Sequence, residues 1–401
     1  MRTVCCLLAV FLLSPMFTLA AGPAVTVQTA GGETLEGSLS GLSAASVTLS
    51  IGNQPRELLA KDLLELRFPH QRSKPHLFGS AIFLANGDRL VAGPETIDDT
   101  QALARFEAFP YWESVKIPLE TISGFILDVP EIAAVRSRNL RTVLGRKQNT
   151  DLVDLKNGDQ AAGEFMGLSE KALTLSGPAG DTPISRENIR LVTMNRELIS
   201  FPKTAQPAFL ISMTDGSRIT ANRLTFDGKD QLSLEAAFGA SFDLPTSAVI
   251  SIRFLGGRAV YLSDLKPANY KHEPYLDAGW ELKADRNVLG EPLRMDGVEY
   301  AKGLGMHSQS LVTYDLGGKY QSFRATIGLD DAAGDRGSVV FVVEVDGNEV
   351  FRSQPYTGRD KAIPLSPIPL AGAKQLTLKI LFAEFGDVLD YANWCDAVLI
   401  Q

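Results

Sequence analysis

Cysteine and histidine are scarce: the chain of 401 residues has three of the first and four of the second. Cys5 and Cys6 both fall inside the first apolar run, which leaves Cys395 as the only thiol beyond it. One thiol makes no intramolecular disulfide, so burial alone must hold the fold. Beside Trp394, that lone cysteine reads as a small buried hydrophobe. The histidines stand at 70, 76, 272 and 307, too scattered for a histidine relay. His70 and His76 lie within a basic, proline-containing linker from Pro69 to His76 with no acidic or thiol neighbour, which argues against a metal site there.

A basic excess is also missing. The formal net charge is −8, which argues against nucleic acid or an anionic membrane surface as partner, since both reward a cationic face. The apolar run from Val4 to Leu13 is shorter than the ~20 residues that a membrane-spanning helix needs. With Arg2 before it, Ser14-Pro15 behind it and small residues at Thr18 to Gly22, it reads instead as an export leader. Cleavage after Ala20 would remove residues 1–20 and deliver the mature chain to the periplasm or the medium.

The motifs of most enzyme classes are absent. There is no His-Glu-x-x-His, Gly-x-Ser-x-Gly, Walker-type loop or Cys-x-x-Cys. Gly303-Leu304-Gly305 runs on into Met306-His307-Ser308 and is no dinucleotide loop. Nor does any region have room for the ~250-residue barrel common among glycosidases. No catalytic residue is assigned.

What the sequence does contain is repetition. Four segments, 25–68, 81–127, 153–195 and 209–255, share one order: a short strand, a glycine turn, further strands and a final hydrophobic triplet. The turns are Gly31-Gly32-Glu33, Asn86-Gly87-Asp88, Asn157-Gly158-Asp159 and Asp215-Gly216-Ser217. Asn-Gly and Asp-Gly between apolar residues signal hairpins, and a type I′ turn with two positive φ angles is the expectation. Units of ~45 residues match small SH3-like or Sm-like barrels. Their uneven spacing favours separate barrels on linkers over a solenoid. Between the second and third copies, residues 129–147 read as one linking helix, with Ile132, Val135, Leu140, Val143 and Leu144 on one face.

Composition changes after Gly256-Gly257, beyond which lie eight of the nine tyrosines and two of the three tryptophans. That shift marks a domain at 258–401. Alternating runs such as Val339 to Val345 and Leu376 to Leu381 read as half-buried strands, with Asp346-Gly347 as a hairpin turn. The segment includes Tyr300-Ala301-Lys302-Gly303-Leu304-Gly305-Met306-His307-Ser308, Gly328-Leu329-Asp330-Asp331, Val343-Glu344-Val345-Asp346-Gly347 and Asn393-Trp394-Cys395-Asp396. In order and spacing these resemble the NPCBM family, the novel putative carbohydrate-binding module.

The resemblance implies a galactose-binding-like jelly-roll sandwich, so the expected fold is all-β, with small barrels, one helix and a sandwich. It also implies a carbohydrate partner bound through the family's polar loops. On this sequence those supply His307, Asp330, Asp331, Arg336, Asn393, Trp394 and Asp396. A structural calcium is a further implication, with Asp264 and Asp396 as ligands. Two functions follow as alternatives: a non-catalytic, exported binder of neutral saccharide, or an envelope assembly protein using the repeats for protein contacts.

Overall fold

The computed structural model describes residues 22–69, 79–109, 112–127, 130, 132–275, 279–384 and 386–401. The expected leader, residues 1–20, and the two linker histidines lie outside the described residues.

The four repeats share a strand plan. The first has β1 (Ala24–Thr29), β2 (Thr34–Leu42), β3 (Ser46–Ile51), β4 (Gln54–Leu59) and β5 (Leu63–Arg67). The second has β6 (Ala81–Leu84), β7 (Arg89–Leu90), β8 (Ala92–Ile97), β9 (Gln101–Phe106), β10 (Val115–Pro118) and β11 (Ile122–Ile126). After helix α1 (Ala133–Gly145) the third has β12 (Asp151–Leu155), β13 (Gln160–Leu168), β14 (Ala172–Gly177), β15 (Gly180–Ser185) and β16 (Ile189–Thr193). The fourth has β17 (Ala208–Met213), β18 (Arg218–Phe226), β19 (Gln231–Ala236), β20 (Ser241–Pro245) and β21 (Val249–Leu255). In each copy the first strand pairs with both the second and the last. A single 3-10 turn precedes every last strand.

Matching bulges bend each unit. The ladder between second and third strands slips at Leu39/Gly41, Phe165/Gly167 and Ala221/Arg223, and the corresponding β8–β9 ladder slips at Pro94/Thr96. An extra residue on one strand sharpens twist and lets short strands curl around a small core.

The hairpin turns differ from the type I′ expectation. Only the glycine takes positive φ, at 93°, 93°, 97° and 94° for Gly32, Gly87, Gly158 and Gly216. In the second copy Gly87 N donates to Leu84 O and Leu84 N donates to Asp88 O, and the same pair of bonds recurs in the others. This is the three-residue loop ending in a glycine bulge. Asn86, Asn157 and Asp215 keep negative φ because their side chains accept from the N–H two residues on, at 3.1, 3.0 and 2.8 Å.

The repeats are also not separate barrels on linkers. Last strands pair across copies: β5 with β21, Leu66 opposite Ile252, and β11 with β16, Phe125 opposite Val192. Each pairing is antiparallel and joins equivalent positions, as in an isologous dimer interface. The bridge Arg89↔Arg218 links β7 to β18, so the spatial order is first, fourth, second, third. One continuous core runs through all four, with Leu66, Phe125, Val192 and Ile252 fully buried in it. Pairing satisfies strand edges that isolated barrels would expose.

Helix α1 is shorter than expected. Val143 is buried, and Leu140 and Leu144 pack beside it on Ala81, Phe83, Ile126 and Leu191, whereas Ile132 is exposed.

From Ala259 to Ile400 the chain forms a β-sandwich. One sheet contains Gly303–His307, Ser322–Leu329 and Tyr391–Ile400, and the other Ser310–Asp315, Ser338–Val345 and Gln375–Phe382. Leu304, Phe323 and Trp394 from the first sheet meet Tyr314, Phe341 and Leu378 from the second in one buried core. The alternation read from Val339 to Val345 thus has its buried face in this core. Among the described residues the regular structure is β apart from α1 and single 3-10 turns, as the sequence indicated.

Sandwich and repeats are docked. Tyr261, Val398 and Ile400 form a small apolar cluster with Ala30 of the first repeat and Ala259. Gly257 is no flexible hinge: a Cβ there would lie 2.5 Å from Lys61 O. Arg324 donates to Ala30 O at 2.7 Å, and Glu299 accepts from Arg89 at 3.0 Å and from Arg218 at 2.7 Å.

Candidate functional site: the loop end of the sandwich

The strand Tyr391–Ile400 runs from one end of the sandwich to the other. Its far end pairs with Ala259–Tyr261 at the junction with the repeats, while its first residues meet His307 and Leu329. At ~3.3 Å per residue these ends are about 30 Å apart. Asp330, Asp331, Asn393 and Trp394 gather near the first residues of that strand, where Asp330 and Asp331 also line a cavity shared with Arg136 and Leu140 of α1.

There, most of them are interior. Asp330 is buried and accepts four hydrogen bonds, from Asn287 (2.9 Å), Asn393 (2.7 Å), Arg294 N (3.1 Å) and Ala332 N (3.1 Å). Burial raises its pKa against those donors. With its lone pairs taken, Asp330 ties three loops together. Asn393 and Trp394 are fully buried, and the indole meets the Phe341 ring edge-on at 5.1 Å. Trp394 is therefore a core residue of the sandwich. Asp331 is exposed and accepts from Gly297 N at 3.0 Å, and Arg336 is exposed on the loop that follows.

Asp396 lies elsewhere, at the junction, where it pairs with Arg253 of β21. Asp264 pairs with Lys302, which also holds Asp285 at 2.8 Å. Each of the two expected calcium ligands thus faces a protein cation, Arg253 or Lys302. Among the described residues no group of three or more His, Cys, Asp or Glu could hold a metal ion. The donor set does not fit calcium.

His307 is buried but near the surface of this end. Trp280 stacks on it in parallel, centroids 4.4 Å apart at 4°, and Tyr391 and His272 pack around it at 5.9 and 6.0 Å. Both imidazoles reach Ser308 O, His307 through Nδ1 at 2.9 Å and His272 through Nε2 at 3.1 Å. Burial lowers the His307 pKa, so the ring is neutral near pH 7. Beneath it, Asp390 accepts from Ser308 Oγ and, at 2.8 Å, from Ser338 N. Burial pushes that carboxyl up to about 6.

Trp280, Tyr391 and His272 are half-buried, and Tyr275, 62% exposed, stands beside them against Phe382. This is an aromatic surface, with the Asp387 carboxylate close enough to act on His307. Sequence reading singled out only His307 of this cluster. Trp280 and Tyr391 lay within the aromatic-rich segment, yet nothing in their spacing said that the loop at 280 folds back over the strand end at 307.

The architecture defines a two-sheet β-sandwich module docked on a platform of β repeats. Residues 258–400 match the NPCBM/NEW2 domain, and the C-terminal part of the chain carries that domain. Over 120 residues the chain is 31% identical to alpha-1,3-galactosidase B of Akkermansia muciniphila, covering 29% of this chain and 15% of that protein. Over 108 residues it is 36% identical to a Renibacterium salmoninarum protein named for endo-alpha-N-acetylgalactosaminidase, covering 27% of this chain and 7% of that protein. The chain thus spans a small part of the curated relatives it matches. Among solved structures, the CBM51 of Clostridium perfringens GH95 in complex with methyl-galactose is 28% identical, with a TM-score of 0.33, covering 35% of this chain and 99% of that one.

Proposed function

We propose that the chain is an exported, non-catalytic glycan-binding protein whose C-terminal module recognises a neutral saccharide. The observation that carries this reading is the Trp280–His307 stack with Tyr391 and His272 at the loop end. An indole covers the apolar C–H face of a pyranose, and polar groups around it bond the sugar hydroxyls. The NPCBM/NEW2 match over the same residues supports the reading, as do the sugar-directed names of the relatives. The two curated relatives are named as glycosidases; the match to this chain covers a shared module-sized segment of each. Arg336 is exposed and is included in the proposed contact set, whereas Asp331 faces the cavity shared with α1; Asp330, Asn393 and Trp394 hold the strand end from inside.

Affinity should be modest, with dissociation constants of roughly 10 μM to 1 mM, because a shallow polar site recovers little area. A glycan array probed with the full chain from Gly22 onward tests the proposal. Retention on galactose- or N-acetylgalactosamine-terminated glycans, insensitive to salt, is the expected result. No retention of any glycan at millimolar concentration would leave the assembly-protein alternative.

A further inference from the structure

The hairpin between the third and fourth strands is minimal in the first and third repeats, where residues 52–53 and 178–179 turn the chain. In the second repeat the same connection is residues 107–114, and it carries Phe109 and Trp112, the only tryptophan before residue 257. Trp112 stacks on Phe109 at 4.1 Å and reaches Phe242 of the fourth repeat at 6.5 Å. Beside it runs a groove of about 740 Å³, floored by Trp112, Phe238 and Phe242 and rimmed by Glu113, Lys116 and Asp243.

The two walls of this groove are strand edges. β10 pairs with β9 and β20 pairs with β19, and among the described strands neither has a second partner. Register fixes which backbone groups are free. Leu119 N donates to Thr100 O, so Ile117 and Val115 are the hydrogen-bonded positions of the β9–β10 ladder, and Lys116 turns its N–H and C=O outward. Thr246 N donates to Asp230 O, which by the same alternation leaves Ser241 and Asp243 with outward N–H and C=O. The proline in each strand, Pro118 and Pro245, falls on an outward position at the strand end, where no ladder bond is lost. An aromatic floor between two unsatisfied strand edges is complementary to one thing above others, an extended polypeptide.

We propose that the groove between β10 and β20 docks an extended peptide segment of a partner protein, which adds a strand between the two repeats. Apolar side chains at alternate positions would sit on Trp112 and Phe242. The intervening ones would face the rim, where two carboxylates against one lysine favour basic residues. This site is independent of the glycan reading, since it uses no residue of the C-terminal module.

The test uses the full chain from Gly22 and a fluorescent hexapeptide of alternating valine and lysine. Fluorescence polarisation should show saturable binding, with Kd roughly 100 μM for a short strand of this kind. Two N-methylated peptides, blocked at the odd or at the even residues, should each bind about tenfold more weakly, because both edges are used. Trp112→Ala and Asp243→Pro should weaken binding to a similar degree with the melting temperature within about 2 °C of wild type. Asp181→Pro, at an outward position of the exposed β15, should leave it unchanged. Should Asp243→Pro fail to fold, Trp112→Ala and the N-methylated peptides still decide. Equal binding of all three peptides would mean simple ionic attraction and overturn the proposal. So would absence of saturation at millimolar peptide, displacement by neutral oligosaccharide, or self-association that Asp243→Pro abolishes, which would make the occupant a second copy.

Discussion

Arg253 of β21 and Asp396 of the last sandwich strand form a two-pronged ion pair across the junction between repeats and module. The guanidinium is 9% exposed and also lies 3.5 Å from Glu65 of the first repeat. Burial opposes its charge, but Asp396, with Tyr261 and Glu65 behind it, raises the pKa well above the ordinary arginine value. Asp396→Ala leaves that cation with Glu65 alone, and should lower unfolding free energy by about 1–3 kcal/mol. Urea denaturation of the full chain measures it. An unchanged midpoint would show that the pair does not fix the junction.

Trp280→Ala and Trp394→Ala should separate the roles of the two tryptophans. The first should abolish glycan retention while leaving the melting temperature nearly unchanged. The second empties a fully buried site and should cost about 3–5 kcal/mol. If both variants melt alike, Trp280 is a packing residue and the proposed site loses its platform.

At Gly158 nothing lies within 4 Å of an added Cβ, so the only obstacle to a side chain is the φ of 97°. Gly158→Val should therefore cost on the order of 1 kcal/mol or more from backbone strain alone. Chemical denaturation would read it, and a neutral outcome would mean that the turn relaxes to another geometry.

Asp390 gives a pH dependence of defined sign. Burial raises its folded pKa to about 6, above the usual value for an aspartate. The group's favourable contribution is full below about pH 4 and is lost as pH rises through about 6. Unfolding of wild type and Asp390→Asn compared at several pH values should show the variant gaining relative to wild type between about pH 4 and 7. A difference that stays flat would mean that Asp390 titrates normally.

Much of this fold could be read from local chemistry. Gly87 and Gly158 announced hairpins because only glycine suits their backbone, and the alternation of Val339 to Val345 announced a strand buried on one side. The turn type was misread because Asn86 spends its side chain on Asp88 N, a bond that spacing does not reveal. Pairing of Leu66 with Ile252 joins residues far apart in sequence, and no local pattern encodes it. The same limit applied at the site. Motif residues such as Asp330 and Trp394 stood out through their neighbours in sequence, yet burial decides what a side chain can touch. Trp280, which covers His307, lay in the family-like stretch but was not among the contact residues that the resemblance implied.

The ladder between β5 and β21 also sets an order of events. Residues 65–67 obtain their cross-repeat partners from residues 251–253, so the first repeat emerges long before its neighbour exists. Contacts of such separation slow folding, because a long loop must close before they form. Until then the β5 edge is open to other chains. Truncations from the C-terminal side that remove β21 should therefore aggregate, whereas loss of the sandwich alone leaves the ladder closed.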